Sequence, residues 1–157
     1  MAKETIIYSP FNGTAKELSK VDDPAFAEEM VGKGIAVVPD SDVTEVLTPI
    51  KKGKVKMAFK GGHAYGIEIK NGIEILIHIG IDTVTLNGKG FTPKVKVDQK
   101  IKLGNVLAGI DLKILSEKAP STDTMVLITN ETLKDNKIEI IAKGKVKAGE
   151  PLFKLIG

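Results

Sequence analysis

The sequence predicts an all-β fold, an antiparallel sandwich or barrel built from many short strands. Apolar or alternating segments are separated by turn residues at intervals of about 8–12 positions, which is typical of these folds. The pair Asn71-Gly72 between two isoleucine-rich runs is the strongest hairpin signal in the chain. Segments 99–107 and 144–152 both read x-Lys-(Ile/Val)-Lys-x-Gly-x-x-Leu without a gap. This repetition suggests an internally duplicated β architecture.

The composition is that of an ordinary folded domain. The chain has 157 residues, enough for one domain with a real core, and 42% of them are hydrophobic. No uninterrupted apolar run reaches the ~18 residues that suggest a membrane span, and the N-terminus lacks a signal-peptide pattern. We therefore expect a cytoplasmic protein without direct membrane insertion. The absence of cysteine excludes disulfides, thiol catalysis and cysteine-based metal sites.

The charge pattern argues against nucleic acid as a partner. Basic and acidic residues number 23 and 20 and are mixed along the chain, and aromatic residues make up only 4%. All the basic residues are lysines, which bind phosphate as point charges and cannot form the bidentate fork of arginine. If this chain handles phosphoryl groups, an arginine clamp has to come from a partner.

Each predicted strand is a short apolar or alternating run bounded by Gly, Pro, Asn, Asp or Ser. Outside the Asn-Gly hairpin and the two repeated segments, they are predicted at residues 6–8, 14–18, 34–39, 43–47, 54–59, 125–129, 138–142 and 152–156. A loose echo between Ser9-Pro10 and Thr48-Pro49 supports the duplication. One helical turn is expected within 111–118 and is broken by Pro120-Ser121.

A short helix is predicted at residues 25–30. Asp23 suits the N-cap and Pro24 the first helical position, and Gly32 and Gly34 are expected to end the helix. Three apolar residues of this segment are expected either to join the core or to form an exposed docking patch: Phe26, Met30 and Val31.

The only two histidines, His63 and His78, flank the Asn-Gly hairpin. A two-residue turn at Asn71-Gly72 places Tyr65 opposite His78, with His63 two residues further along the first strand. Side chains alternate with period two, so the two histidines share one face as diagonal neighbours. Their Cβ atoms are expected about 7–8 Å apart or somewhat less, so the two imidazoles can converge. A one-residue slip would send them to opposite faces. Gly61-Gly62 is expected to form a bulge or bend.

The strand that carries His78 is apolar on both faces, which is typical of a central, covered strand. A lone histidine there would be a satisfied core residue. Its convergence with His63, beside the polar turn that contains Asp82, indicates a functional pair instead.

These residues resemble the glucose-type enzyme IIA domain of the bacterial sugar phosphotransferase system. The segment 75–84, Ile-Leu-Ile-His-Ile-Gly-Ile-Asp-Thr-Val, is similar to the family's histidine signature, and His63-Ala64 matches its second histidine. Segments 26–36 and 86–91 match the family's helix-and-glycine and L-x-G-x-G-F stretches. The similarity runs from about Ile6 to Ile156.

The resemblance implies a single enzyme IIA domain at 1–157, a flattened antiparallel β-sandwich with internal duplication and one or two very short helices. It implies a phosphotransferase component in which His78 accepts a phosphoryl group on Nε2 from the phosphohistidine of HPr. The group then passes to a cysteine of an enzyme IIB domain of a membrane sugar permease. His63 would stabilise the phosphoryl oxygens without being phosphorylated, and Gly80 and Asp82 would line the site. No cofactor is required.

The family docks both partners through an apolar ring around the histidines. The matching positions are Phe26, Met30, Val31, Phe59, Leu76 and Val84. A monomeric, free-standing subunit is expected, since no IIB or IIC sequence is attached. Glucose, N-acetylglucosamine, sucrose and β-glucoside systems share this type of domain. One departure is Gly61, where many relatives carry a threonine whose hydroxyl would orient the histidine pair.

Three alternatives remain open at this point. His63, His78 and Asp82 offer adequate zinc ligands, so a zinc-binding protein, or adventitious zinc at the pair, is one of them. A biotinyl- or lipoyl-carrier-like module is another, with Lys56-Met57 on a turn. An inert structural sandwich would leave the histidine pair unexplained.

Overall fold

A computed structural model describes residues 4–157. Residues 1–3 of the predicted domain, and of the N-terminus from which the absence of a signal peptide is inferred, lie outside the described residues. Fourteen strands are present in residues 4–157: β1 (Glu4–Tyr8), β2 (Gly13–Lys16), β3 (Gly32–Pro39), β4 (Glu45–Leu47), β5 (Lys52–Ala58), β6 (Ala64–Glu68), β7 (Glu74–Ile81), β8 (Phe91–Pro93), β9 (Lys100–Lys102), β10 (Val106–Ile110), β11 (Ser121–Thr129), β12 (Lys137–Ile140), β13 (Gly144–Val146) and β14 (Pro151–Ile156).

The helical segments are all short. They are α1 (Pro24–Ala27), α2 (Leu112–Lys118) and α3 (Asn130–Leu133), with 3-10 turns at Leu18–Lys20, Lys70–Gly72 and Thr83–Leu86. The longest helix in residues 4–157 has seven residues, so no helix there has the length and apolar character needed to cross a membrane.

All strand pairings are antiparallel, and they form three sheets. The large sheet has eight strands in the order β13-β2-β3-β11-β7-β6-β5-β9, and two three-stranded sheets have the orders β1-β14-β12 and β4-β10-β8. This arrangement confirms the predicted antiparallel β-sandwich. It also places β7, which carries His78, near the middle of the large sheet, as its apolar sequence predicts.

The core lies between the large sheet and the two small ones. The main apolar cluster joins Ile77 of β7 to Ile7 and Phe153 of one small sheet and to Val46 and Leu107 of the other. We call the face of the large sheet that packs on this cluster the inner face. The outer face carries a smaller cluster that only the 3-10 turn at residues 18–20 and α1 cover: Leu18, Val21, Phe26, Ala36, Ala64, Leu76, Ile81, Met125 and Leu127.

The two halves of the chain are related by repeated hydrogen bonds. Tyr8 N–H donates to the Pro49 carbonyl at 2.7 Å, and Leu47 N–H donates to the Pro10 carbonyl at 2.9 Å, so the two proline turns exchange equivalent contacts. In the repeated hairpins, Lys102 N–H donates to Asn105 Oδ1 at 2.8 Å and Lys147 N–H to Glu150 Oε1 at 2.7 Å. Both sequence echoes therefore correspond to repeated structure.

Some element boundaries differ from the prediction. Helix α1 starts as predicted, with Asp23 Oδ1 accepting from Ala25 N–H at 2.9 Å, but it ends at Ala27 because Glu29 adopts a left-handed φ of 55°. Gly32 and Gly34 do not end the helix. They lie within β3, where a Cβ at Gly34 would be 2.1 Å from the Val126 carbonyl oxygen. Helix α2 is longer than one turn, and α3 has no counterpart in the prediction.

Candidate active site

His78 lies in the middle of β7, on the outer face of the large sheet. Its cross-strand neighbours are Ala64 of β6 and Met125 of β11, and both belong to the smaller apolar cluster. The ring of Phe26, on α1, is tilted against the imidazole with 5.0 Å between ring centroids. The side chain of His78 nevertheless stays partly exposed. The imidazole therefore sits on an apolar floor and remains open to solvent on one side.

The backbone of Gly80 determines which nitrogen of His78 carries the proton. His78 Nδ1 lies 2.9 Å from the Gly80 carbonyl oxygen, which can only accept a hydrogen bond. Nδ1 therefore bears the hydrogen and Nε2 keeps a free lone pair. Gly80 has a φ of 77°, and a Cβ there would lie 2.6 Å from Cγ2 of the buried Thr83. The turn that aims this carbonyl at His78 thus requires glycine.

The turn between β6 and β7 is one residue longer than predicted. Asn71 and Gly72 have φ values of 64° and 74°, the positive values that the Asn-Gly pair predicts. The turn nevertheless spans Lys70–Gly72, and Ile69 N–H donates to the Ile73 carbonyl at 2.8 Å. The predicted two-residue turn is therefore wrong, and the register moves by one position.

The shifted register changes the residue that faces His78, yet the two imidazoles still converge. His78 pairs with Ala64 and not, as predicted, with Tyr65. Within a regular strand this slip would separate the rings. His63 does not follow that rule because it precedes β6, in a bend that comes directly after Gly62 with a φ of 83°. The two rings lie edge to face, with centroids 5.3 Å apart and planes at 76°.

His63 is held mainly by aromatic rings. Its side chain is only 5% exposed, and its imidazole stacks on Phe59 with 5.0 Å between centroids and 24° between planes. Phe91 lies further away, at 6.4 Å. The His63 carbonyl accepts a hydrogen bond from Ile79 N–H at 2.7 Å, which ties the bend to β7. Within residues 4–157, no protein group hydrogen bonds to the His63 ring nitrogens.

Both imidazoles are predominantly neutral at pH 7. Burial lowers the pKa of His78 below its ordinary 6.5, although the hydrogen bond to Gly80 and the charges of Asp23 and Asp82 act in the opposite direction. Burial, and then the charge that His78 would carry, lowers the pKa of His63. A neutral His78 with its proton on Nδ1 is a nucleophile at Nε2.

Two acidic residues influence His78 electrostatically. Asp82, a predicted site residue, is exposed and follows β7 in a left-handed conformation with a φ of 55°. Asp23 was assigned from the sequence only to the cap of α1. Its effect on the pKa of His78 arises because α1 folds over the outer face. Its position three residues before Phe26, a predicted site residue, could have suggested that Asp23 lies near the site. The sequence alone does not show that this helix lies beside the histidine.

The six predicted partner-binding residues divide into a buried and an exposed group. Phe26 and Leu76 are buried in the smaller cluster, and Val31 packs against it. Met30, Val84 and Phe59 are exposed by 68%, 59% and 47%. In the α1 segment, Phe26 therefore joins a core, whereas Met30 faces solvent and its role in docking stays a prediction.

The structure does not support the zinc and carrier-module alternatives. Among the described residues, no three His, Cys, Asp or Glu side chains are grouped so that they could hold a metal ion, whereas the zinc hypothesis needs Asp82 beside both histidines. Lys56-Met57 lies inside β5 and not on a turn, where a carrier module requires its modified lysine.

Comparison with known proteins agrees with this geometry. Residues 5–133 match the family described as the phosphoenolpyruvate-dependent sugar phosphotransferase system, EIIA 1. The solved structure of glucose permease IIA from Mycoplasma capricolum superposes with a TM-score of 0.89 at 38% identity, covering 97% of this chain and 96% of that one.

Relatives occur both as separate proteins and within longer chains. The glucose-specific EIIA component of Mycoplasma capricolum is 40% identical over 94% of this chain and 93% of its own length. The glucoside-specific EIICBA component of Staphylococcus carnosus is 45% identical over 94% of this chain, which spans only 21% of that relative's length. The family match over most of the chain, together with these relatives, shows that the chain belongs to the EIIA family of the phosphoenolpyruvate-dependent sugar phosphotransferase system.

Proposed function

We propose that this protein is a phosphocarrier in sugar uptake, with His78 as the phosphoryl acceptor. HPr would be the donor, and a cysteine of an EIIB domain in a membrane sugar permease would receive the group. The observation that carries the proposal is the hydrogen bond from His78 Nδ1 to the Gly80 carbonyl, which leaves Nε2 free to attack. Residues 1–157 would act as one EIIA domain and as a monomer.

In the acceptance step, the lone pair of His78 Nε2 attacks the phosphorus of the donor's phosphohistidine. The new Nε2–P bond forms as the donor's N–P bond breaks, and the electron pair of the broken bond returns to the donor's imidazole. The attacking ring gains positive charge, which the Gly80 carbonyl stabilises through the Nδ1 proton. In the second step an EIIB thiolate attacks the same phosphorus. The S–P bond forms as the Nε2–P bond breaks, and the electron pair returns to Nε2, so His78 becomes neutral again.

His63 would support the transfer from His78 to the EIIB domain by donating an N–H to the phosphoryl oxygens. The two ring centroids are 5.3 Å apart with planes at 76°, so one phosphoryl group on His78 would lie within reach of His63. A neutral imidazole carries one N–H donor, so His63 can donate a hydrogen bond to a phosphoryl oxygen while it is uncharged. Phosphoryl transfer demands mainly positioning and charge stabilisation of this kind.

Asp23 and Asp82 would recognise cations of the donor. The chain contains no arginine, and the residues acting on the pKa of His78 include these two acids but no lysine. Cationic side chains on a partner would pair with the carboxylates and then lie beside the transferring phosphoryl group. The apolar residues Met30, Val84 and Phe59, exposed around this centre, would supply the contact area.

The test is intact-mass analysis after incubation with phosphoenolpyruvate, enzyme I and HPr. The wild type should gain one acid-labile phosphoryl group, and His78→Ala should gain none. Phosphate on the His78→Ala protein, or none on the wild type with active donors, would refute the assignment.

His63→Gln is the matched variant for the second histidine. It should still accept the phosphoryl group, because Nε2 of His78 is untouched. Its transfer to the EIIB domain should slow by roughly 100-fold, the scale expected when a positioned group is lost. Transfer at the wild-type rate would remove the role proposed for His63.

A further inference from the structure

We propose that Phe59 is a positioning residue, which holds the imidazole of His63 in the plane needed to bind the phosphoryl oxygens. This inference rests on the proposed phosphocarrier function. It assigns Phe59 a role besides partner docking, because the side chain acts through His63 and does not touch the reacting atoms.

Three aromatic rings lie around the imidazole of His63. Phe59 is the ring most nearly parallel to the imidazole, at 24°, whereas His78 and Phe91 meet it at 76° and 57°. Within residues 4–157 no hydrogen bond fixes the ring nitrogens. Among these three rings, Phe59 is therefore the one whose stacking most directly restrains rotation of the imidazole about its Cβ–Cγ bond. Stacked rings resist such rotation because it separates their faces.

Backbone hydrogen bonds in a short turn bring the two rings together. Phe59 and His63 stand at the two ends of the turn between β5 and β6. Phe59 N–H donates to the Ala64 carbonyl at 3.0 Å, and Gly62 N–H donates to the Phe59 carbonyl at 2.8 Å. These bonds fix the backbone at both ends of the turn. Phe59 is 47% exposed, and its ring covers His63, which is almost fully buried.

The space beside Gly61 is large enough for a side chain. A Cβ at this position would lie 3.5 Å from His63 Nδ1 and 3.5 Å from Gly88 N, which are ordinary contacts. Gly61 is not among the residues with positive φ, so a side chain is tolerated there. A hydroxyl at position 61 could therefore reach Nδ1, but glycine offers none. In this chain the orientation of His63 thus depends on Phe59, and a hydroxyl at position 61 can substitute for it.

The experiment compares Phe59→Leu, Phe59→Tyr and the double variant Phe59→Leu/Gly61→Thr with the wild type. Each is phosphorylated with phosphoenolpyruvate, enzyme I and HPr, and then mixed rapidly with increasing concentrations of an EIIB domain of a glucose-type permease. Val84→Ala is the matched control. Val84 is a predicted docking residue that is exposed by 59%, and its aliphatic side chain cannot stack on His63. Nitrogen-15 NMR of the imidazoles follows the tautomer and titration of His63 without any partner present.

Phe59→Leu should lower the saturated transfer rate by between about 10-fold and 100-fold and change the His63 ring signals. Phe59→Tyr should keep both near the wild-type values, and the double variant should recover most of the rate. Val84→Ala should raise only the half-saturating EIIB concentration.

Two results would overturn the inference while leaving the phosphocarrier function intact. One is a Phe59→Leu protein that transfers at the wild-type saturated rate and differs only in half-saturation. The other is a Phe59→Leu protein whose His63 ring signals match those of the wild type. If the wild type itself is not phosphorylated, the proposed function fails, and this inference falls with it.

Discussion

The two faces of β7 differ in what covers them. On the inner face, Ile75, Ile77 and Ile79 are at most 1% exposed and pack among all three sheets. On the outer face, Leu76 belongs to the smaller cluster under α1 and the preceding 3-10 turn, and His78 packs against Phe26 and His63. Because strand side chains alternate, one strand can anchor the core with half of its residues and present a nucleophile with the other half. Stability and chemistry should therefore respond to different substitutions.

The largest expected effect separates the two faces directly. Ile77→Ala should lower the free energy of unfolding by about 2–5 kcal/mol, because it leaves a cavity among three sheets. The folded fraction should still accept a phosphoryl group, since the outer face is unchanged. Urea unfolding and intact-mass analysis measure the two properties. His78→Ala is the converse control, with acceptance lost and a smaller loss of stability. A folded but unphosphorylated Ile77→Ala protein would show that the faces are coupled.

Gly80→Ala should impair the outer face through the backbone. The substitution forces an L residue to a φ of 77°, which costs about 1–2 kcal/mol, and it places a Cβ 2.6 Å from Thr83. The carbonyl that holds His78 Nδ1 should turn away, and phosphoryl acceptance should fall by at least ~10-fold. Gly72→Ala is the matched control, because its φ is 74° but its Cβ would meet nothing within 4 Å. Equal losses of acceptance in both variants would contradict the role of the Gly80 carbonyl.

The pH dependence of acceptance tests the burial of His78. Only the neutral imidazole has a free lone pair, and burial lowers its pKa below 6.5, so more than half of the maximal rate should remain at pH 6.5, and the rate should fall at lower pH. Asp82→Asn removes a charge that raises this pKa, so the decline should move to still lower pH. NMR titration and single-turnover rates measure both. Asp42→Asn is the exposed control. A half-maximal rate above pH 6.5 would be inconsistent with a neutral, buried acceptor.

The lowered histidine pKa values also predict a trend in stability. The unfolded chain binds protons at these histidines with the ordinary pKa of 6.5, whereas the folded chain resists protonation. Their contribution to the free energy of unfolding is therefore complete above pH 6.5 and decreases as pH falls toward the lowered values. Replacing both histidines with glutamine should flatten the dependence measured by urea unfolding between pH 7 and pH 5.

The smallest expected effect lies on the inner face. Tyr65 is completely buried, its hydroxyl is the one buried side-chain oxygen or nitrogen in residues 4–157 without a partner, and burial raises its pKa to about 12. Tyr65→Phe removes this unpaired group and should leave the free energy of unfolding unchanged or raise it by about 1 kcal/mol. Phosphorylation should not change. A clear loss of stability would indicate that the hydroxyl has a hydrogen-bond partner after all.

Local signals predicted much of the fold. Period-two alternation and turn residues located most strands, the Asp23 cap located the start of α1, and the repeated nine-residue segments predicted two structurally equivalent hairpins. Helix α3 and the lengths of the other helices could not be predicted from the sequence, because four- to seven-residue helices are stabilised by packing more than by propensity.

The histidine pair shows where local signals stop. The sequence by itself determined that His63 and His78 flank an Asn-Gly hairpin in an apolar sheet, and it predicted their convergence from a register that is wrong by one residue. Only the tertiary structure decided how they converge, through a three-residue turn, a shifted register and a bend at Gly62 that compensates for the shift. It also decided that α1 brings Asp23 to His78 and that Phe59 stacks on His63. The reason is physical: periodicity and turn chemistry act between neighbours in the chain, whereas ring contacts and charge effects depend on how separate elements pack.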